Sequence, residues 1–105
     1  MSIKLNSVFD SRNDSWMIEV EGELDVSTAE KFKAELYRLE EEKQADMRIN
    51  LSGLDYIDST GLGVMVGVLK RLKVNNKGIY LNNPKSNVKK IFEITGLDKI
   101  FNLEG

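Results

Sequence analysis

Apolar and polar residues alternate along two short stretches near the start of the chain. Ile3, Leu5 and Phe9 recur on one side of the first, and Trp16, Ile18 and Val20 on one side of the second, with Met17, Glu19 and Glu21 between them. A period of two predicts strands with one buried face. Between them lies Asp10-Ser11-Arg12-Asn13-Asp14, a cluster of turn formers, so the pair is predicted to form a hairpin. The period then changes. Ala29, Phe32, Leu36 and Leu39 recur at helical spacing, and Lys31, Lys33, Glu35 and Arg38 fall mostly on the other side. Ser27-Thr28-Ala29-Glu30 fits a capping box, with a hydroxyl at the N-cap and a glutamate three residues on. This helix is expected to fade near Lys43.

Met47, Ile49 and Leu51 alternate with Arg48 and Asn50, which predicts a third strand, followed by a short stretch from Ser52 to Asp58. A second helix is predicted from about Thr60 to Val74, ended by Asn75-Asn76-Lys77-Gly78, whose Asn and Gly suit left-handed dihedrals. Ile79-Tyr80-Leu81 reads as a short fourth strand. Asn83-Pro84 reads as an N-cap followed by proline at the first helical position. Val88, Ile91 and Phe92 mark the inner stripe of a third helix, with Gly96 as its stop. Ile100, Phe101 and Leu103 fit a last helical turn or an edge strand equally well. Helices between strands imply crossovers and largely parallel neighbours. The expected fold is therefore α/β. A mixed sheet of four to five strands has an antiparallel N-terminal hairpin followed by parallel crossovers, and three to four helices pack on it. One domain spanning 1–105 is expected, with no linker, repeat or low-complexity segment.

Composition narrows the chemistry. The 105 residues suffice for one modest core, and 41% apolar with 30% charged residues is ordinary for a soluble globular protein. Cysteine and histidine are both absent, which removes disulfides, thiolate nucleophiles, Ser-His-Asp triads and the usual zinc sites. Carboxylate-only chemistry remains open. A net charge of −2 argues against a general nucleic-acid partner, which needs a basic footprint. No apolar run reaches membrane-span length and the start lacks a signal-peptide stretch, so a cytoplasmic location is expected and no membrane partner.

The run Asp58-Ser59-Thr60-Gly61-Leu62-Gly63 stands out because it lies where a loop becomes a helix. Ser59 reads most simply as a helix cap. The helix itself carries more. On a wheel, Leu62, Met65, Val66, Leu69 and Leu72 cluster within about 120°, enough to face a sheet. Val64 and Val68 fall outside that stripe, and so do Gly63 and Gly67. Each glycine costs about 1 kcal/mol against alanine inside a helix, so something is expected to approach this backbone closely, either a second helix or a docking partner. Asp55 and Asp58 form a possible carboxylate pair, but no companion base or ligand accompanies them. Glu40-Glu41-Glu42 reads as a solvated helix end, and Lys85, Lys89 and Lys90 as an outer helix face. The glycines match neither a dinucleotide nor a P-loop pattern, and no cofactor is implied.

Taken in order, four segments resemble one family. Asp58-Ser59-Thr60-Gly61-Leu62-Gly63 is similar to the phosphorylation motif of bacterial anti-sigma factor antagonists, in the STAS domain family. Gly22-Glu23-Leu24-Asp25 resembles that family's loop before the first helix. The strand Met47 to Leu51 stands at the expected distance before the motif. Phe92-Glu93-Ile94-Thr95-Gly96-Leu97 resembles its C-terminal helix ending. The general-stress antagonists are the most similar. The resemblance implies a non-enzymatic regulator. Its unphosphorylated form binds an anti-sigma factor that is also a serine kinase, and so frees a sigma factor. Phosphorylation by that kinase, with ATP, ends the binding, and a serine phosphatase restores it. By the same resemblance Ser59 is the acceptor, and Asp25, Asp58, Thr60, Gly61, Leu62, Gly63, Val64 and Gly67 contact the partner. A STAS subunit of a stress-signalling or lipid-transport assembly, without phosphorylation, is the alternative.

Overall fold

The computed structural model describes residues 2–104. Its elements follow the hydrophobic pattern closely: strands β1 (Ile3–Asp10) and β2 (Ser15–Leu24), helix α1 (Ala29–Glu42), strand β3 (Asp46–Ile57), helix α2 (Ser59–Lys73), strand β4 (Ile79–Asn82), helix α3 (Ser86–Thr95), a 3-10 turn (Leu97–Lys99) and strand β5 (Asn102–Glu104). The five strands form one sheet in sequence order, antiparallel between β1 and β2 and parallel from β2 to β5. Of the predicted alternatives for Ile100, Phe101 and Leu103, the edge strand forms and takes in Leu103, while the 3-10 turn falls just before them. Buried Phe101 joins this segment to α3 by an edge-to-face contact with Phe92, 5.6 Å between ring centres.

Alternation decides which side of the sheet is dry. Trp16, Ile18 and Val20 of β2, Met47, Ile49 and Leu51 of β3, and Ile79 and Leu81 of β4 are buried with the inner residues of the helices in one apolar cluster. The other side keeps Met17, Glu19 and Glu21 exposed. There Arg48 lies over the Tyr80 ring at 4.5 Å and pairs with Glu104 at 3.5 Å. Each fully buried Leu, Ile or Phe contributes about 1.5–3 kcal/mol, so this single cluster is the main favourable term.

Strand β3 runs six residues past the predicted Leu51. Register explains why the pattern hid this. Glu19 and Glu21 of β2 pair with Asn50 and Gly53, and Gly22 and Glu23 pair with Leu54 and Tyr56, so β3 carries an extra residue at each place. These two irregularities shift the buried positions from Ile49 and Leu51 to Leu54 and Ile57, breaking the period of two.

Helix starts also depart from expectation. The Ser27–Glu30 capping box does not form. Thr28 is the N-cap of α1, and its hydroxyl donates to the Glu23 carbonyl at 2.8 Å and accepts from the Asp25 N–H at 3.0 Å, while Glu30 stays exposed. The N–H groups of Thr28 and Ala29 are satisfied instead by the Asp25 carbonyl, at 3.1 and 2.9 Å. Helix α3 begins two residues after Pro84, because Asn83 takes a left-handed φ of 55° and donates its N–H to Glu104 of β5 at 2.8 Å. Helix α2 is capped by Asp58, not Ser59: its Oδ1 accepts from the N–H groups of Thr60 and Gly61 at 2.9 and 3.2 Å.

The wheel for α2 needs one correction. Val68 is fully buried and Val66 only partly, so the true inner arc runs from Val68 through Met65 to Leu62. The arc is displaced because α2 packs on α1 as well as on the sheet. Gly67 faces that neighbour, where a methyl group would lie 3.3 Å from the Tyr37 hydroxyl, while Gly63 faces open space. Glu40 is likewise no solvated end. It is 7% exposed and pairs with Arg71 of α2 at 2.7 Å, and the Arg71 guanidinium lies 4.7 Å from the Tyr37 ring centre.

Three substitutions test this account by thermal melting. Gly22→Ala is expected to cost about 2 kcal/mol or more, because Gly22 has φ 107° and a methyl group there would collide with the Ser2 carbonyl oxygen. Asp58→Ala is expected to cost about 1 kcal/mol through loss of the cap. Gly63→Ala is expected to gain up to about 1 kcal/mol, since nothing lies within 4 Å of the added carbon. A fall in Tm for Gly63→Ala would mean that this glycine serves the fold.

Candidate functional site

Parallel strands end on the same edge of a sheet, and three loops of this protein leave from that edge. Leu24, the last residue of β2, pairs in register with Ile57, the last of β3. One residue further, the Asp58 N–H donates to the Leu24 carbonyl at 3.0 Å. This bond stitches the β2–α1 loop to the start of α2. The first turn of α2 then seats directly on the strand ends, because residue 61 is glycine: a methyl group there would lie 3.0 Å from Leu24 Cβ and 3.1 Å from Ile57 Cγ1.

The cap sorts the hydroxyls and carboxylates of the motif. Asp58 turns its carboxylate onto the free N–H groups of the helix. Ser59 is therefore relieved of the capping role and stands exposed as the first residue of α2, with Thr60 exposed beside it. Gly61 and Leu62 turn inward and are buried, so their side is spent on packing rather than on a surface contact. Gly63 is exposed, Val64 half-buried, and Gly67 lies further along against α1. The sequence-predicted residues thus divide. Asp25, Asp58, Ser59 and Thr60 meet at the loop edge, Gly63 and Val64 continue along α2, and Gly61, Leu62 and Gly67 serve the fold.

Asp25 sits in the adjacent loop and is only 8% exposed. Its Oδ1 accepts from the Ser27 hydroxyl at 2.6 Å and the Ser27 N–H at 2.9 Å. The Ser27 hydroxyl is the chief reason its carboxyl is held below the usual range; burial opposes this, and the N–H groups of Ser27 and Thr28 assist.

Asp55 and Asp58 do not act as a pair. Asp58 caps α2, whereas Asp55 forms an ion pair with Lys85 at the start of α3, and Asn87 Nδ2 donates to the Asp55 carbonyl at 2.9 Å. Lys85 is exposed, as expected of an outer face, and its ammonium reaches across the surface to β3. Among the described residues no three His, Cys, Asp or Glu side chains are grouped to hold a metal, and no helix is long and apolar enough to cross a membrane. Two features escaped the sequence reading. Val26 points outward from the β2–α1 loop, and the exposed Lys85–Asp55 ion pair joins residues thirty positions apart. Neither follows a periodic pattern that could have announced it.

What this edge offers chemically is an exposed primary hydroxyl at the amino end of a 15-residue helix, beside a carboxylate. The helix end favours a negative group on that hydroxyl, whereas the neighbouring carboxylate opposes one.

Known proteins are similar in sequence or in fold. The anti-sigma-B factor antagonist of Staphylococcus epidermidis is 35% identical over 103 residues, covering 98% of this chain and 94% of its own. A Thermotoga maritima structure described as a candidate anti-sigma factor antagonist superposes with a TM-score of 0.88 at 24% identity, covering 96% of this chain and 86% of its own. The Bacillus anti-sigma factor antagonist SpoIIAA superposes at 23% identity in its unphosphorylated form, TM-score 0.78, covering 97% and 87%. Its phosphorylated form gives 0.68 at the same identity, covering 97% and 90%. The STAS domain itself matches residues 7–105, with the loop edge and the whole of α2 inside the match, and the chain belongs to the STAS domain family.

Proposed function

We propose that this protein is an anti-sigma factor antagonist switched by phosphorylation of Ser59. The unphosphorylated form binds an anti-sigma factor with serine kinase activity and so releases a sigma factor. The kinase transfers the γ-phosphoryl group of ATP to Ser59 Oγ, the hydroxyl proton is lost, and ADP leaves. A serine phosphatase returns the hydroxyl by hydrolysis. The protein itself is a cytoplasmic binding module, not an enzyme, and its docking surface is the loop edge with the exposed side of α2.

One observation carries the reading: Asp58 takes the capping role, which leaves the Ser59 hydroxyl exposed at a helix amino end. The name of the S. epidermidis relative supports the partner class. A phosphate adds about −1.5 to −2 charges at neutral pH. The helix end accommodates that charge, so the fold persists. A partner closing over the same edge meets a doubly charged group beside Asp58. Such a poorly paired charge costs several kcal/mol in an interface, and each 1.4 kcal/mol is about tenfold in affinity. The switch therefore acts on docking and leaves folding alone. The carboxylates an enzyme would need are already committed, Asp58 to the helix and Asp55 to Lys85.

Incubation with the anti-sigma factor kinase of the same organism and ATP is expected to add one phosphate, located at Ser59 by mass spectrometry. Ser59→Ala is expected to stay bound in the presence of ATP. Ser59→Asp is expected to weaken binding by about a hundredfold or more in calorimetry, with stability changed by no more than about 0.5 kcal/mol. Absence of phosphate at Ser59 would point to a STAS subunit of another assembly. A large loss of stability in Ser59→Asp would make the serine structural.

A further inference from the structure

The β2–α1 loop holds a residue that the motif does not mark. Val26 is 77% exposed. Among the described residues, three other large apolar side chains are more than half exposed: Val8, Val74 and Ile94. Val8 lies on the edge strand β1, Val74 just past the far end of α2, and Ile94 near the C-terminal end of α3. Val26 alone of the four lies on the loop edge. It is two residues past Leu24, whose carbonyl holds the Asp58 N–H, and Ser59 is one residue past Asp58. At about 3.6 Å per residue at most, the backbones of the two exposed residues stand close enough on this edge for one partner to span both.

The loop is also held in shape. The Asp25 carboxylate binds the N–H and hydroxyl of Ser27, and the Thr28 hydroxyl bridges the Asp25 N–H and the Glu23 carbonyl. Asp25 Oδ1 and the Thr28 hydroxyl are thus engaged within the turn, while the apolar Val26 is turned out. Asp25 directs one carboxylate oxygen into its own loop and is itself only 8% exposed. The proposed function places the anti-sigma factor over this edge, and the inference rests on that reading.

We propose that Val26 is an apolar anchor that enters a pocket on the anti-sigma factor, and that Asp25 is the positioning residue that presents it. The partner feature to expect opposite this loop is then an apolar recess rather than a basic side chain.

Asparagine separates the two roles available to Asp25, because it keeps the oxygen that accepts from Ser27 and loses the charge. Calorimetry of the unphosphorylated protein with the anti-sigma factor kinase of the same organism, with a thermal melt of each variant, gives the test. Val26→Ala is expected to weaken binding about tenfold with Tm unchanged, as for a buried anchor. Asp25→Ala is expected to weaken it to a similar extent, and Asp25→Asn to stay within about threefold of the parent, a difference of about 0.7 kcal/mol. Wild-type affinity in Val26→Ala overturns the anchor. Wild-type affinity in Asp25→Ala, or equal weakening in Asp25→Asn and Asp25→Ala, overturns the positioning role, and the latter assigns the charge to the interface. A parent protein that does not bind the kinase at all overturns the proposed function and the anchor with it. Binding by the parent with an unaffected Val26→Ala overturns the anchor alone.

Discussion

The hydrogen bond from the Asp58 amide to the Leu24 carbonyl joins two loops that are over thirty residues apart in the chain. It is the last rung of the parallel pairing between β2 and β3, and it exists because the two strands end level with each other. That level ending depends in turn on the two irregularities in β3. They absorb two residues, so that its 12 residues span the 10 of β2; in a regular ladder the same chain would run past Leu24 before α2 began. The glycine at 61 completes the arrangement by letting the helix rest against the strand ends. Loop edge, cap and exposed serine are all consequences of this one alignment.

Most elements were legible because a single period governs each of them. Trp16, Ile18 and Val20, or Phe32, Leu36 and Leu39, face one dry layer, and such positions must recur at the spacing of the backbone. What was not legible arose where two constraints overlapped. Strand β3 beyond Leu51 was hidden by its irregular register. The inner arc of α2 was misplaced because Val68 answers to α1 as well as to the sheet. The glycine question had two answers at once: Gly67 lies against a helix of the same fold, and Gly63 faces outward.

The site was legible as a motif and less so as a geometry. The hexapeptide singled out the turn from β3 into α2, but its residues divide between surface and interior in a way that spacing does not show. Capping chemistry illustrates the reason. Ser27, Thr28, Asp58 and Ser59 are all competent N-caps, and the sequence offers both hydroxyl and carboxylate at the starts of α1 and α2. Which one is used depends on where the preceding strand releases the chain. At α2 the carboxylate is used and the hydroxyl is left over. At α1 the threonine is drawn back to the Glu23 carbonyl and the aspartate folds onto Ser27.

The ion pair between Glu40 and Arg71, with Tyr37 beneath the guanidinium, lies at the opposite end of α2 from Ser59. The helix is thereby fastened at both extremities, to strand ends at one and to a neighbouring helix at the other. A rod held in this way has little freedom to slide or tilt. Under the proposed switch, information written at its tip would stay where it is written, to be read by touch at that spot and not as a change of shape felt across the molecule.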